Sequence, residues 1–410
     1  MTMAKPACGI LVLLLAGAAP AQTPAAPAAA ENGAWTATGN IGGRRLYHSP
    51  QTPGFTSWVA LWKMPDGSLM MSFTQATGPI EGRLRAPKDV EIRLNNPVPG
   101  LSVNYDMTGL DLSNVHLRST DGGATWIKVS ADHFTTTTNG AFGEAEMGFE
   151  DGSILRGLWG QYLPYNPDVL PTGCAQRSHD GTRTWGRPVP LIDPARYVTL
   201  PKRLRRLRDG RIILTGGVAD FAPAGDRGRL SLWGPWRPLL LVSADQGRSW
   251  TGPIPVLAPK TGGAWTEEWD AAELPNGDLL GSFRRPDPSD PAGHHVRWQG
   301  VLKKSGQTWL SGEPVNAPFP HSGHPDLLAT REGPILYIAQ SGICWTDDAG
   351  RTWHRLGVAA TGYYPQAVQT DDGLIIVVGH VGMDDAYGAV DQSIVMDSFR
   401  LSRPPAPSLP

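Results

Sequence analysis

STDGGATW, Ser119–Trp126, decides the fold, because the chain keeps returning to it. Its form is S-x-D-x-G-x-T-W. SADQGRSW occupies Ser243–Trp250, TDDAGRTW occupies Thr346–Trp353 with Thr in first place, and SHDGTRTW occupies Ser178–Trp185 with Thr182 where glycine belongs. A decayed copy, LKKSGQTW, ends at Trp309. Each residue type has a reason to be there. The hydroxyl and the carboxylate hydrogen-bond backbone amides inside a tight turn. Glycine supplies a positive φ, and the Trp plugs its sheet against the next one. The Asp of each copy is therefore read as structural, neither catalytic nor metal-binding.

A second repeat lies between copies of the first. Asp66-Gly67, Asp151-Gly152, Asp209-Gly210, Asn276-Gly277, Glu332-Gly333 and Asp372-Gly373 each sit between strand-like residues, as in Arg211–Leu214 and Leu374–Val378. They read as hairpin turns. After five of them a copy of the Asp turn follows, and after the sixth comes Ser393-Ile394-Val395-Met396, a closing strand. The two repeats together predict an all-β six-bladed β-propeller of four-stranded blades. Such a ring removes most exposed sheet edges. No helical periodicity interrupts the pattern.

Composition agrees: 49 Gly, 38 Pro and 18% charged residues suit short strands joined by turns. A net charge of −2 gives no electrostatic case for a nucleic-acid partner. Residues 1–21 read as a cleavable export signal, with Lys5, the apolar run Ile10–Ala16 and the small-residue site Ala19-Pro20-Ala21. Residues 22–34 read as an Ala/Pro-rich linker, which leaves 35–410 for the propeller. The apolar run is too short to span a bilayer and no later run is longer, so the expectation is a secreted or periplasmic protein without a membrane span. Cys174 and Cys344 outlast the signal; a bond between them is allowed by that compartment and not implied by spacing.

In a propeller the innermost strand of each blade begins at the ligand face. Nine residues before the hairpin glycines stand Trp58, Gly143, Pro201, Glu268, His324 and Tyr364; an offset of one brings in Ser57, Glu144 or Leu200. Glu268, His324 and Tyr364 are side chains that move protons or form covalent bonds. His321 and His324, with Asp326, could suggest a metal, but a strand would face them to opposite sides; no metal or cofactor is expected. Lys202, Arg203, Arg205 and Arg206 read as a solvated basic face. Alternation puts Arg203 and Arg205 on one side, where they could meet an anionic sugar. Trp58 and Trp269 offer flat faces for sugar rings, and His380 is a further channel residue.

The repeated turn is the Asp box, and the chain resembles the sialidase superfamily in two more places. Glu268, then Glu273-Leu274-Pro275-Asn276-Gly277, then Arg284 is similar to a Glu, hairpin and Arg pattern of that superfamily. Tyr364-Pro365-Gln366, leading to Asp372-Gly373, is similar to the segment bearing its nucleophilic Tyr. The resemblance implies that Glu268 eases ionisation of Tyr364, whose free pKa is near 10, and that the tyrosinate attacks the anomeric carbon, an exception to the two-carboxylate scheme. It implies an Asp acid/base from the long loop between Gln75 and Asn114: Asp106, with Asp111 as rival. It also implies a substrate anchor at Arg284, helped by Arg285. The pattern is incomplete. Sialidases grip a carboxylate with three Arg forks, yet Ser57-Trp58-Val59 and Ala339–Cys344 lack the first and third. The expectation is thus a glycoside hydrolase, exo-α-sialidase-like with divergent sugar specificity, acting on a glycan or glycoconjugate. The alternatives are a glycosidase for a non-sialic sugar, a lyase using Tyr364 and His324, and a non-catalytic glycan-binding propeller.

Overall fold

The computed structural model describes residues 35–85, 107–134, 144–158, 172–220, 236–257, 265, 267–286, 295–310, 312–317, 324, 326–382 and 387–403. Among these there is no helix, and therefore none long and apolar enough to cross a membrane. The strands form six sheets around a ring. Strand β1 (Thr36–His48) is set aside until the ring closes. Blade one is β2 (Phe55–Lys63), β3 (Leu69–Thr77), β4 (Asp111–Ser119) and β5 (Ile127–Phe134). Blade two is β6 (Ala145–Gly148), β7 (Ile154–Leu158), β8 (Cys174–Ser178) and β9 (Val189–Pro190). Blade three is β10 (Tyr197–Arg206), β11 (Ile212–Asp220) and β12 (Arg237–Ser243). Blade four is β13 (Trp269–Glu273), β14 (Leu279–Pro286), β15 (His295–Ser305), β16 (Thr308–Leu310) and the short β17 (Val315–Asn316). Blade five is β18 (Asp326–Ala329), β19 (Ile335–Ala339), β20 (Gly342–Thr346) and β21 (His354–Arg355). Blade six is β22 (Tyr363–Gln369), β23 (Ile375–His380) and β24 (Ser393–Ser402), completed by β1.

All six predicted hairpins join the first and second strands of a blade. In each, the glycine amide bonds back to the carbonyl three residues earlier, as Gly67 does to Met64 at 3.0 Å and Gly277 to Leu274 at 2.9 Å. The Asp turns are built as the chemistry requires. Asp121 Oδ1 accepts from the Thr125 amide at 2.8 Å, while the Ser119 hydroxyl oxygen accepts from the Gly123 amide at 2.8 Å. Asp180, Asp245 and Asp348 repeat the arrangement. Thr182 takes the glycine conformation itself, at φ 74°, and its hydroxyl meets Ser130 Oγ at 2.7 Å.

Two details depart from the repeat pattern. Among the described residues blade three has three strands, followed by a single bridge between Val242 and Thr251. Pro253, two residues on, has no N–H to extend a ladder. The sequence pointed to Ser393–Met396 as the closing strand. It is the third strand of blade six, and β1, from the start of the propeller, pairs outside it from Thr36–Ser402 to His48–Ser393. Arg44 of β1 then reaches the Asp turn of blade one, donating to Ala124 O at 2.7 Å. The core lies between blades. Val59, Leu61, Met71, Phe73 and Val115 of blade one pack on Ile376, Val378 and Ile394 of blade six. Each such side chain contributes roughly 1.5–3 kcal/mol on burial.

Cys174 and Cys344 are both free thiols.

Candidate functional site

Three inner strands carry a register shift at the same level of the channel. It falls between Ser57 and Ala60 in β2, between Pro201 and Arg203 in β10, and between Tyr363 and Gln366 in β22. A bulge of this kind re-aims a side chain. Here it delivers Trp58, Lys202 and Tyr364. Trp58 and Tyr364 take φ values of 56° and 49°, a conformation costly for bulky residues and kept only where the surroundings enforce it. Behind Tyr364 the fit depends on glycine: a Cβ on Gly379 would stand 2.8 Å from the Gly362 Cα.

Tyr364 is 4% exposed, and its hydroxyl donates to Glu268 Oε1 at 2.5 Å. The other oxygen of Glu268 accepts from Arg284 Nη1. The Glu268 carbonyl accepts from Arg297 Nη1 at 3.2 Å, and Arg297 is buried. Burial alone would raise the Glu268 carboxyl. The charges of Arg284 and Lys202 and the Tyr364 hydrogen bond outweigh burial and hold it well below the usual carboxylate range. Its neighbour Glu267 goes the other way, pushed up by burial in spite of Lys202. Glu267 fits there because β11 has Gly217, whose Cβ would come within 2.5 Å of the Glu267 Cβ.

On the other side of Tyr364 lies a second buried pair, Lys202 Nζ to Glu144 Oε2 at 2.6 Å, each side chain 1% exposed. The Lys202 ammonium stands 5.7 Å from the centre of the Tyr364 ring. His380 stacks on that ring at 5.9 Å, His324 lies 6.3 Å away, and Tyr363 meets it edge-on at 4.6 Å. Burial lowers the His380 pKa to about 3, so its imidazole is neutral.

Beneath these groups a belt of polar contacts ties the blades together. The Leu61 amide donates to Gln366 Oε1 at 3.2 Å, and Gln366 Nε2 donates to the Glu144 carbonyl at 2.9 Å. Arg203 donates to the carbonyls of Lys202 and Pro365 and faces Asp326 at 3.6 Å. Arg205 clamps Asp270, at 2.5 Å, and Asp326 together. Asp270 Oδ2 accepts the Leu327 amide at 2.8 Å, and Asp326 Oδ2 accepts the Ala367 amide at 2.7 Å.

The structure brings Glu268, Tyr364, His324, His380 and Arg284, all expected from the sequence, into one site. Asp106 and His321 lie outside the described residues, and Asp111 sits exposed at the start of β4, bonded to His133 at 3.1 Å. Four expectations are corrected. Trp269 does not face the channel: it is fully buried, stacked on Phe283 at 5.0 Å, with its indole N–H on the Gly216 carbonyl. Trp58 is turned into a cluster with Phe55, Met107 and Tyr387, meeting the Phe55 ring edge-on at 5.6 Å, so its rings serve packing. Arg285 does not assist Arg284; strand alternation turns it onto the rings of Trp265 and Trp298, about 5 Å from each. The basic run of β10 is not a solvated face. Lys202 and Arg203 are buried, and Arg203 serves the belt instead of reaching a ligand. Arg203 and Arg205 do share one side, since both address Asp326.

Sequence reasoning missed Lys202 as a site residue because the bulge in β10 breaks the alternation that the prediction used. It reached Glu144 only as an offset of one. Nothing local marks Arg297 or Glu267; both matter through partners far away in sequence.

No protein-family description matches the chain, and no curated protein matches it. Solved structures do. A Dyadobacter fermentans protein of unknown function is 19% identical with a TM-score of 0.59, over 89% of this chain and 99% of its own. The α-L-arabinofuranosidase of Fusarium graminearum, in complex with an iminosugar inhibitor, is 14% identical with a TM-score of 0.57, over 88% of this chain and 98% of its own. A Hadza microbial sialidase is 18% identical with a TM-score of 0.53, over 88% of this chain and 68% of its own. The chain is therefore a six-bladed β-propeller similar in fold to sialidases and arabinofuranosidases, at low identity.

Proposed function

We propose that this chain is a glycoside hydrolase acting outside the cytoplasm on a sugar other than an ordinary sialic acid. The observation that carries the reading is the buried hydrogen bond from Tyr364 to Glu268 at 2.5 Å. In the reaction Glu268 takes the phenol proton as Tyr364 Oη bonds to the anomeric carbon. The glycosidic bond breaks, and its oxygen leaves with a proton from an acid, a role proposed for Asp106. Water then cleaves the tyrosyl–sugar bond and Tyr364 recovers its proton. Arg284 opposes the first transfer by stabilising ionised Glu268. A substrate oxygen that draws Arg284 toward itself makes Glu268 a better base.

The choice of sugar rests on the cations. Among the described residues, Arg284 on Glu268 and Arg297 beneath it do not form a three-pronged clamp open to a ligand carboxylate. Fold relatives of this shape include an arabinofuranosidase solved with arabinobiose, so pentosides belong among the candidates. The test is a panel of aryl glycosides covering sialic acid, hexoses, deoxyhexoses, pentoses and uronic acids, run on the native chain and on Tyr364→Phe. Turnover of a non-sialic glycoside, lost in the variant, is expected. Turnover that survives Tyr364→Phe, or turnover of the sialoside alone, overturns the reading. A second reading, β-elimination from a uronate, is favoured by the two imidazoles flanking Tyr364. It is scored by ultraviolet absorbance of an unsaturated product.

A further inference from the structure

The Lys202–Glu144 pair has no place in the scheme just described, yet both side chains are buried against the site. A strand bulge is spent on delivering Lys202 there. Its ammonium stands over the face of Tyr364, anchored from behind by Glu144 Oε2. Glu144 is itself fixed, because its carbonyl accepts from both Gln366 and Arg203.

We propose that Lys202 is a positioning residue for Tyr364: held by Glu144, its charge stabilises the phenolate that must form when the phenol gives up its proton. The proposal rests on Tyr364 being the nucleophile. The other groups around the ring are Glu268 and Arg284 from blade four, with Glu267 beside them, His324 from blade five, and Tyr363 and His380 from blade six. Glu268 disfavours a second negative charge at Tyr364, Arg284 bonds Glu268 while its charge also reaches Tyr364, and His380 is neutral. Lys202 is the cation that stands over the phenol ring itself. A unit charge about 6 Å away, at an effective dielectric near 20, moves an ionisation by roughly two pH units. The opposing charge of Glu144 reduces that to about one.

The arrangement gives a signature that loss of packing does not imitate. Lys202→Met removes the favourable charge and should raise the Tyr364 ionisation by about one pH unit. Glu144→Gln removes the opposing charge and should lower it, and Lys202→Arg should keep the native value. Ionisation is followed by ultraviolet tyrosinate absorbance, each variant being compared with its own Tyr364→Phe partner so that one phenol is isolated. Opposite shifts in Lys202→Met and Glu144→Gln support the proposal. No shift, or shifts in the same direction, overturns it. If Lys202→Met does not fold, the Glu144→Gln result decides alone, since only a lower ionisation fits. The titration needs no substrate. Hydrolysis that survives Tyr364→Phe therefore sinks the nucleophile reading separately, whatever the titration shows.

Discussion

Replacing Arg284 by Leu isolates the charge that governs Glu268. The carboxylate is 5% exposed and the guanidinium 18%, so water screens the pair little. Removing one partner of a buried ion pair typically costs about 3–5 kcal/mol, most of it the penalty of an uncompensated charge. Glu268 keeps the Tyr364 hydrogen bond and the fields of Lys202 and Arg297, so the low end, about 3 kcal/mol, is expected. The sign of the pH dependence follows. In the native chain Glu268 sits below its unfolded pKa of about 4.3. Its stabilisation is then fully present above that value and is lost progressively as pH falls below it toward the depressed folded value. In the variant, burial regains weight and the folded pKa moves up, which favours the folded state at acid pH. The penalty should therefore be largest near neutrality and shrink toward about pH 4.5, close to the unfolded carboxyl's own titration.

Urea unfolding at neutral and acid pH measures both numbers, and a cycle with Glu268→Gln gives the coupling between the two residues. A penalty below about 1 kcal/mol, or one that is the same at both pH values, would show that Arg284 is not what keeps Glu268 ionised. Arg284 would then not set the basicity of Glu268 toward Tyr364.

Arg205→Leu strands two buried carboxylates, Asp270 and Asp326, that it now holds together. Unfolding free energy should drop by about 3 kcal/mol, with partial recovery in Arg205→Leu/Asp326→Asn; a loss under about 1 kcal/mol removes the belt as a source of stability. The thiols of Cys174 and Cys344 are both raised by burial, Cys174 to about 11. An alkylating reagent at neutral pH should spare both until the chain is unfolded, and fast labelling of the native protein contradicts their placement.

The fold was legible because its punctuation is local. A hairpin Gly or an Asp turn declares itself within eight residues, and six of one and five of the other count the blades. Strand β1 was not legible. It has no turn motif of its own, and its partner β24 lies at the far end of the chain, as in Thr36 opposite Ser402. The site was half legible for a related reason. Counting back from a glycine located Glu268, His324 and Tyr364, because the distance along an inner strand is a local property. The side chains that tune them come from other blades. Deciding whether Lys202 or Arg203 faces the ring requires knowing that β10 bulges between Pro201 and Arg203. A single extra residue inverts the parity of everything on one side of it. Trp58 and Trp269 were misplaced for the opposite reason: an aromatic residue at the channel level fills space between blades as readily as it meets a ligand.

The channel of this propeller serves two purposes with one set of residues. Lys202 and Arg203 are consecutive, and the bulge that turns Lys202 onto Tyr364 also leaves Arg203 facing Asp326 and the Pro365 carbonyl. Glu144 offers its carboxylate to the site and its carbonyl to the belt. Glu268 does the same with Tyr364 and Arg297. Backbone contacts that join the blades thus fix the very side chains proposed to do chemistry, which keeps them within the tolerance that proton transfer demands. The arrangement also dictates how variants must be read. A substitution that keeps the backbone contact and changes only charge, such as Glu144→Gln, reports on electrostatics. One that disturbs the belt, such as Arg205→Leu, moves several site residues at once, and lost activity there says nothing about the role of any one of them.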